Sequence, residues 1–391
     1  MLSVLLAYEL SSDGGAVVEA AKEKRAKAKA KGRPSPGTTT LASQEVLSML
    51  SRIADFDKLQ RAAYDAGYNA ISVPLSRVSK DMVREGFTWL KAIDGEMVKK
   101  VPKPETLEAL SRSFYEVVPL LDSEGKEAIT TRDSFQRRLK AVSMLSDIEA
   151  AHSQWRVLLA DDPASQGSKL SEEVLQQLYK SLKCDLRAES PGAPAWQLVE
   201  KYLASSFTTS APPRIRTIFG IEKPQEVARY QRFASASNRM LLWQGAPLTS
   251  WLSLLAGGPR LPPKEAPESG YAFGKGLYFF NAARPALPKG TPALLLLAEV
   301  ALGSSRQLNE PTKGVEKLPQ GFQSLHAIGA FRPSLSLEHR FADGTAVTVP
   351  SGSLREVPGA SWGQYDEYVV FNTAQVRMRY LVEVEEGPPE P

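Results

Sequence analysis

Two stretches of the chain carry side chains whose types could do chemistry. Residues 238–280 contain Gln244-Gly245 and, further along, Gly274-Lys275-Gly276 followed by Leu277-Tyr278-Phe279. Residues 366–384 open with Asp366-Glu367 ahead of the apolar run Tyr368-Val369-Val370. A carboxylate such as Glu367 can stabilise positive charge that develops at a reacting carbon. The face of Tyr278 can hold a flat ring by stacking, and a residue without a side chain such as Gly245 lets the backbone approach a ligand closely. Each signal is weak alone: a glutamate at a strand start is commonly solvated, and a tyrosine in an apolar run commonly packs in a core. Lys275 between two glycines lacks the rest of a phosphate-binding loop and is a weak signal for one.

Elements that could position these groups are legible on both sides. From Ser43 to about Lys183 the pattern is helical. Ser43 reads as an N-cap, followed by Val46, Met49, Leu50 and Ile53 at helical spacing. Ser79 precedes a stripe of Met82, Phe87, Leu90 and Ile93, and Pro104 suits a first helical turn. Phe135, Leu139, Val142, Leu145, Ile148 and Trp155 predict one face of a long helix. After Pro191 short apolar runs alternate with Gly and Pro, among them 214–223, 239–245, 274–280, 292–303, 367–373 and 375–385. The expected fold class is α+β, an N-terminal all-α bundle followed by a β-rich part with antiparallel sheets.

Composition narrows the function classes. With 391 residues and 42% hydrophobic content, the chain can bury two ordinary domain cores. Its longest apolar run, Pro292 to Leu302, contains Glu299 and is too short to span a bilayer, so no membrane partner is expected. The opening MLSVLLAYEL lacks the basic start of a signal peptide and reads as an edge strand. The single cysteine, Cys184, excludes an internal disulfide framework and a cysteine-rich zinc site, and fits cytosol or nucleus. No metal is expected. Residues 22–33 carry seven Lys or Arg against one Glu, which is +6 of a net +4, so the rest of the chain is close to −2. This segment sits in a Gly-, Ala-, Lys-, Ser- and Pro-rich linker; it suits a nuclear address or a phosphate-contacting tether as well as a plain solvated linker.

The two stretches resemble the catalytic domain of poly(ADP-ribose) polymerases. NRMLLWQGAPLTSWLSLLAGGPRLPPKEAPESGYAFGKGLYFF (238–280) is similar to the half that binds nicotinamide, and DEYVVFNTAQVRMRYLVEV (366–384) to the strand pair carrying the family's glutamate. FYEVVPLL (114–121) and MLSDIEAAHSQWR (144–156) resemble the helical regulatory domain that precedes it. The likeness covers about residues 41–385. It implies a basic linker over 1–40, with a remnant of an upstream Trp-Gly-Arg-type domain, a helical regulatory domain over 41–187 and a transferase domain over 188–391. It implies transfer of ADP-ribose from NAD, as substrate, to protein acceptors including the chain itself, with release of nicotinamide, a nuclear setting (cytoplasmic as the alternative) and a DNA-damage context. DNA contact through an upstream domain or residues 22–33 is open.

By the same resemblance Glu367 stabilises positive charge on the ribose, Tyr278 and Phe279 belong to the nicotinamide-binding wall, the Gly245 backbone bonds the carboxamide, and Arg260 lies near the adenosine end. Only one carboxylate is needed, because nicotinamide leaves as a neutral molecule. The family's triad is His, Tyr, Glu, and here its His position is Gln244. An amide can still bond a ribose hydroxyl, but without the rigidity of a ring. Ala246 and Ala286 stand where the family has serines, and Lys289 falls near its second stacking tyrosine. None of His152, His326 and His339 lies near the motif in sequence. Two readings follow: an active transferase using NAD, or a catalytically impaired transferase fold that serves as a binding or scaffold module.

Overall fold

Capping side chains start the helices. In α1 (Gln44–Ile53) the Ser43 side chain accepts from the Val46 N–H, and Val46, Leu47, Met49, Leu50 and Ile53 are buried. Asp55 caps α2 (Phe56–Asp65) and Ser79 caps α3 (Lys80–Met97). Pro104 occupies the first turn of α4 (Pro104–Val117). Thr131 and Ser134 cap each other's backbone at the start of α5 (Arg132–Ala150), which buries Phe135, Leu139, Val142, Leu145 and Ile148. Ser171 caps α6 (Glu172–Leu182). In α3 the buried stripe is Val83, Phe87, Leu90 and Ile93; Met82 is only partly covered, because the i, i+4, i+7 row starts one residue later.

This structure is a computed structural model describing residues 41–121, 127–152, 154, 170–207, 211–288, 293–312, 318–359 and 362–385. The basic stretch, the apolar opening, Trp155 and Lys289 lie outside the described residues.

The strands begin at β1 (Asp185–Ala188) and continue with β2 (Arg214–Glu222), β3 (Arg239–Gly245), β4 (Leu277–Phe280), β5 (Ala293–Ala301) and β6 (Ser305–Leu308). Then follow β7 (Ser324–Ala327), β8 (Gly329–Arg340), β9 (Ala346–Glu356), β10 (Trp362–Tyr365), β11 (Glu367–Val370) and β12 (Val376–Glu385). Three helices, α7 (Pro194–Ser205), α8 (Pro224–Tyr230) and α9 (Trp251–Gly257), connect them. The main path runs β1-β2-β12-β5-β3-β4-β11-β7-β6, with β8, β9 and β10 branching from β3. Most neighbours are antiparallel, as the sequence predicts, but β3/β9, β6/β7 and β8/β10 are parallel, so the sheet is mixed. The apolar run 293–301 is buried at every position because β5 lies between β12 and β3. Its Glu299 accepts a hydrogen bond from Arg379 Nε at 2.8 Å.

Helices and sheet are not separately cored. Val46, Phe135 and Leu178 belong to one continuous cluster with Leu242, Leu252, Leu296 and Val370. Two polar ties cross the same junction. Arg52 of α1 bonds the buried Glu383 of β12 at 2.7 Å. The buried Lys223 ammonium donates to Leu182 O, Leu255 O and Ala256 O at 2.7–2.9 Å, closing the C-terminal ends of α6 and α9 at once.

Candidate active site

Strand register brings the two distant stretches together. In the antiparallel pair β4/β11, Tyr278 lies opposite Val369 and Phe280 opposite Glu367. Directly opposed side chains share a face, so Tyr278 and Glu367 stand on the same face, two residues apart along the ladder. Phe279 alternates to the other face and is fully buried in the main core. In this structure its side chain packs on the face opposite Tyr278 and Glu367.

The Tyr278 ring is fixed by its own hydroxyl. That group donates to Gly274 O at 2.8 Å and accepts from Phe273 N at 3.0 Å. Burial pushes the phenol up to about 12, and the nearby Glu367 carboxylate adds to this against the Phe273 N–H. Glu367 itself is half-buried, and burial raises its carboxyl above the ordinary range. The buried Trp362 indole N–H lies close enough to Glu367 to favour the ionised form.

Gln244 is the penultimate residue of β3, beside these strands. Its Nε2 donates to the Tyr278 carbonyl at 3.3 Å, while its buried Oε1 has no partner among the described residues. An orphaned acceptor of this kind is costly unless a donor arrives from elsewhere. At Gly245 a Cβ would lie 1.7 Å from Ala286 O, in the short turn Arg284–Ala286. The absence of a side chain here is thus required by the chain's own wall.

Arg260 is placed differently. It follows α9 on a loop, and its Nη2 bonds Asp147 Oδ1 at 2.9 Å and Ser253 Oγ at 3.2 Å. Asp147 belongs to α5 and also accepts from Ser250 Oγ. The structure thus gathers Gln244, Gly245, Tyr278 and Glu367, while Arg260 is engaged by the helical part. A second tie lies nearby: Asp94 of α3 bonds Arg132 at 2.6 Å and the Ser269 N–H at 3.2 Å. His326, remote from the motif in sequence, is brought by β7 to the strand of Glu367, but it bonds Asp366 at 2.8 Å rather than standing in for the residue missing at Gln244. Asp147, Asp366 and Trp362 carry no local motif; only the fold reveals them. Among the described residues no group of three or more His, Cys, Asp or Glu side chains could hold a metal ion.

Comparison with known proteins matches both halves. Residues 40–164 match a family model described as the poly(ADP-ribose) polymerase regulatory domain, and residues 195–386 one described as the poly(ADP-ribose) polymerase catalytic domain. The chain belongs to the poly(ADP-ribose) polymerase family. Among similar polymerases of this family, "Poly [ADP-ribose] polymerase 2-B" of Oryza sativa subsp. japonica is 33% identical over 353 residues, covering 86% of this chain and 56% of that protein. "Poly [ADP-ribose] polymerase 2" of Arabidopsis thaliana is 32% identical, covering 87% of this chain and 53% of the relative. The Homo sapiens protein named "Poly [ADP-ribose] polymerase 2" is 28% identical, covering 87% and 58%. The chain spans about half the length of these poly(ADP-ribose) polymerase relatives.

Proposed function

We propose that the chain is an NAD-dependent ADP-ribosyltransferase that passes ADP-ribose to protein acceptors, itself among them, and releases nicotinamide. The observation that carries this reading is the pairing of β4 with β11, which sets the Tyr278 ring and the Glu367 carboxylate on one face. Tyr278, immobilised at its hydroxyl, offers a rigid surface for the nicotinamide ring. The Gly245 backbone offers carboxamide partners, and the orphaned Gln244 Oε1 can accept from a ribose hydroxyl. Glu367, ionised, stabilises the positive charge that the ribose gains as the neutral nicotinamide departs. NAD supplies the activated ribose bond; the chain orients it, shields it and places one negative charge beside it.

Residues 41–187 act as a regulatory bundle and 188–391 as the transferase part. Asp147 supports this assignment, because it holds Arg260, the residue read as an adenosine contact. While that pair is closed, only the fraction of molecules in which it opens can offer Arg260 to NAD, and apparent affinity falls by that fraction. Nuclear residence, a DNA-damage role and DNA contact through residues 22–33 go with this reading.

Release of nicotinamide from labelled NAD by the full chain, with Glu367→Gln as control, tests it. Release above the control supports the transferase; no release by folded protein sinks it. A second reading, a binding module on a transferase fold, draws on the substitution at Gln244 and the alanines at 246 and 286. Benzamide binding without turnover would favour it.

A further inference from the structure

Asp366 immediately precedes β11 and is almost wholly buried, at 1% exposure. Its carboxylate collects donors from three separate pieces of chain. Oδ1 accepts from Gly329 N at 2.8 Å and Arg332 Nη2 at 3.4 Å, at the start of β8. Oδ2 accepts from His326 Nε2 of β7 at 2.8 Å and from Asn281 Nδ2, just after β4, at 3.2 Å. Arg332 also lies 3.3 Å from Oδ2. Burial alone would raise this carboxyl, but His326, Gly329 and Arg332 outweigh it and hold the carboxyl below its ordinary range.

The arrangement brackets Glu367. Asp366 on one side is bonded by His326, and Tyr368 on the other is stacked on the same His326 ring at 4.3 Å and 14°. With both chain neighbours pinned to one face, the Glu367 side chain is turned to the opposite face, where Tyr278 stands. Asn281 closes the frame, because it follows the strand that carries Tyr278. Gly329 makes the close approach of these strands possible, since a Cβ there would lie 2.1 Å from the Tyr365 carbonyl carbon. A buried charge network of this kind contributes little net stability compared with apolar packing; what it can supply is a single geometry.

We propose that Asp366 is a positioning residue, which through His326 and Asn281 sets the Glu367 carboxylate against the Tyr278 ring. The inference rests on the transferase reading of those two residues.

The test compares Asp366→Asn with the parent chain, using Glu367→Gln as the floor. A misplacement of about 1 Å at a reacting group costs up to about 100-fold, so kcat for nicotinamide release is expected to fall about 10- to 100-fold. KM for NAD is expected to change less than about threefold, because the ligand's walls are elsewhere. A readout free of turnover is the ratio of dissociation constants for benzamide, which is neutral, and 1-methylnicotinamide, which is cationic. Ionised Glu367 in place favours the cation; Asp366→Asn should lower that preference towards the Glu367→Gln value and leave benzamide binding intact. If Asp366→Asn does not fold, Arg332→Gln, at the most exposed partner, should show a smaller loss in the same direction, with recovery in Arg332→Lys. A kcat within about twofold of the parent together with an unchanged ratio overturns the proposal. Should the parent release no nicotinamide, the transferase reading falls and the ratio alone decides: a collapse supports the positioning role, and an unchanged ratio overturns it.

Discussion

Tyr278 and Glu367 stand on neighbouring strands whose ladder fixes them, whereas Arg260 stands on a loop and is held by an ion pair to Asp147 of a helix. The first pair moves only if the sheet deforms. The second changes when one partly exposed side-chain contact opens, at a cost of about 1 kcal/mol or less. One end of the site is therefore built for constant geometry and the other for adjustment. The departures from the family pattern do not follow that division: the tyrosine and glutamate are kept on β4 and β11, but Gln244 lies in β3, and Ala246 and Ala286 flank its end.

The sharpest attack on the fixed end is Glu367→Gln. Removing a preorganised charge from a reacting centre is expected to lower nicotinamide release at least about 100-fold. Because burial penalises the ionised form of Glu367, the same change should leave the melting temperature unchanged or raise it. The pH profile follows with the same sign. Activity needs the deprotonated carboxylate, so its acid limb should fall away as pH drops through a value above that of an ordinary glutamate. A limb at the ordinary value or below would show that another group limits the reaction.

Gly245→Ala probes the wall. A Cβ there meets the Ala286 carbonyl, so overpacking of about 1–3 kcal/mol is expected, and thermal stabilisation by benzamide should vanish. Retained stabilisation would mean that the flat ring binds away from this strand end. Gln244→His should act in the opposite direction. One recovered hydrogen bond, worth about 0.5–1.5 kcal/mol, corresponds to a gain of roughly two- to tenfold in NAD affinity. A variant equal to the parent would assign the ribose contact elsewhere. The smallest effect is expected at the adjustable end, where Asp147→Asn frees Arg260. Turnover at low NAD should rise up to about fivefold, the equivalent of a partly exposed ion pair. A fall instead would identify the pair as support for the site rather than a latch on it.

Much of the fold can be read along the chain because its signals are local. Ser43, Ser79 and Pro104 act as boundaries within a few residues of where their types appear, and the apolar run of β5 is a buried strand because nothing polar but Glu299 interrupts it. The hairpin β8/β9 is illegible for the converse reason: most of its outer half is exposed and mixes Leu335 and Leu337 with Ser, Glu and Arg, so no period stands out. For the candidate site, Gln244, Gly245, Tyr278 and Glu367 are singled out through resemblance, which encodes the register that spacing alone does not. Phe279 shows what resemblance leaves out, since strand alternation beside Tyr278 turns its side chain to the core. Asp147 and Asp366 are invisible in sequence, because their partners lie 103 and 113 residues away in one case and 34 to 85 in the other.

The core shared by the helices and the sheet limits what form regulation can take. Leu252 and Leu255 on the transferase side and Phe135 and Leu145 on the helical side are members of one apolar cluster. Two halves that bury each other cannot swing apart as rigid bodies without exposing that surface to water. Calorimetry should accordingly record one endotherm for the folded chain, not two, and a scattering profile should barely change when activity is switched on. Control by the bundle would then be a matter of local breathing, visible as faster amide exchange around α5 and the loop that bears Arg260 while the strands stay protected.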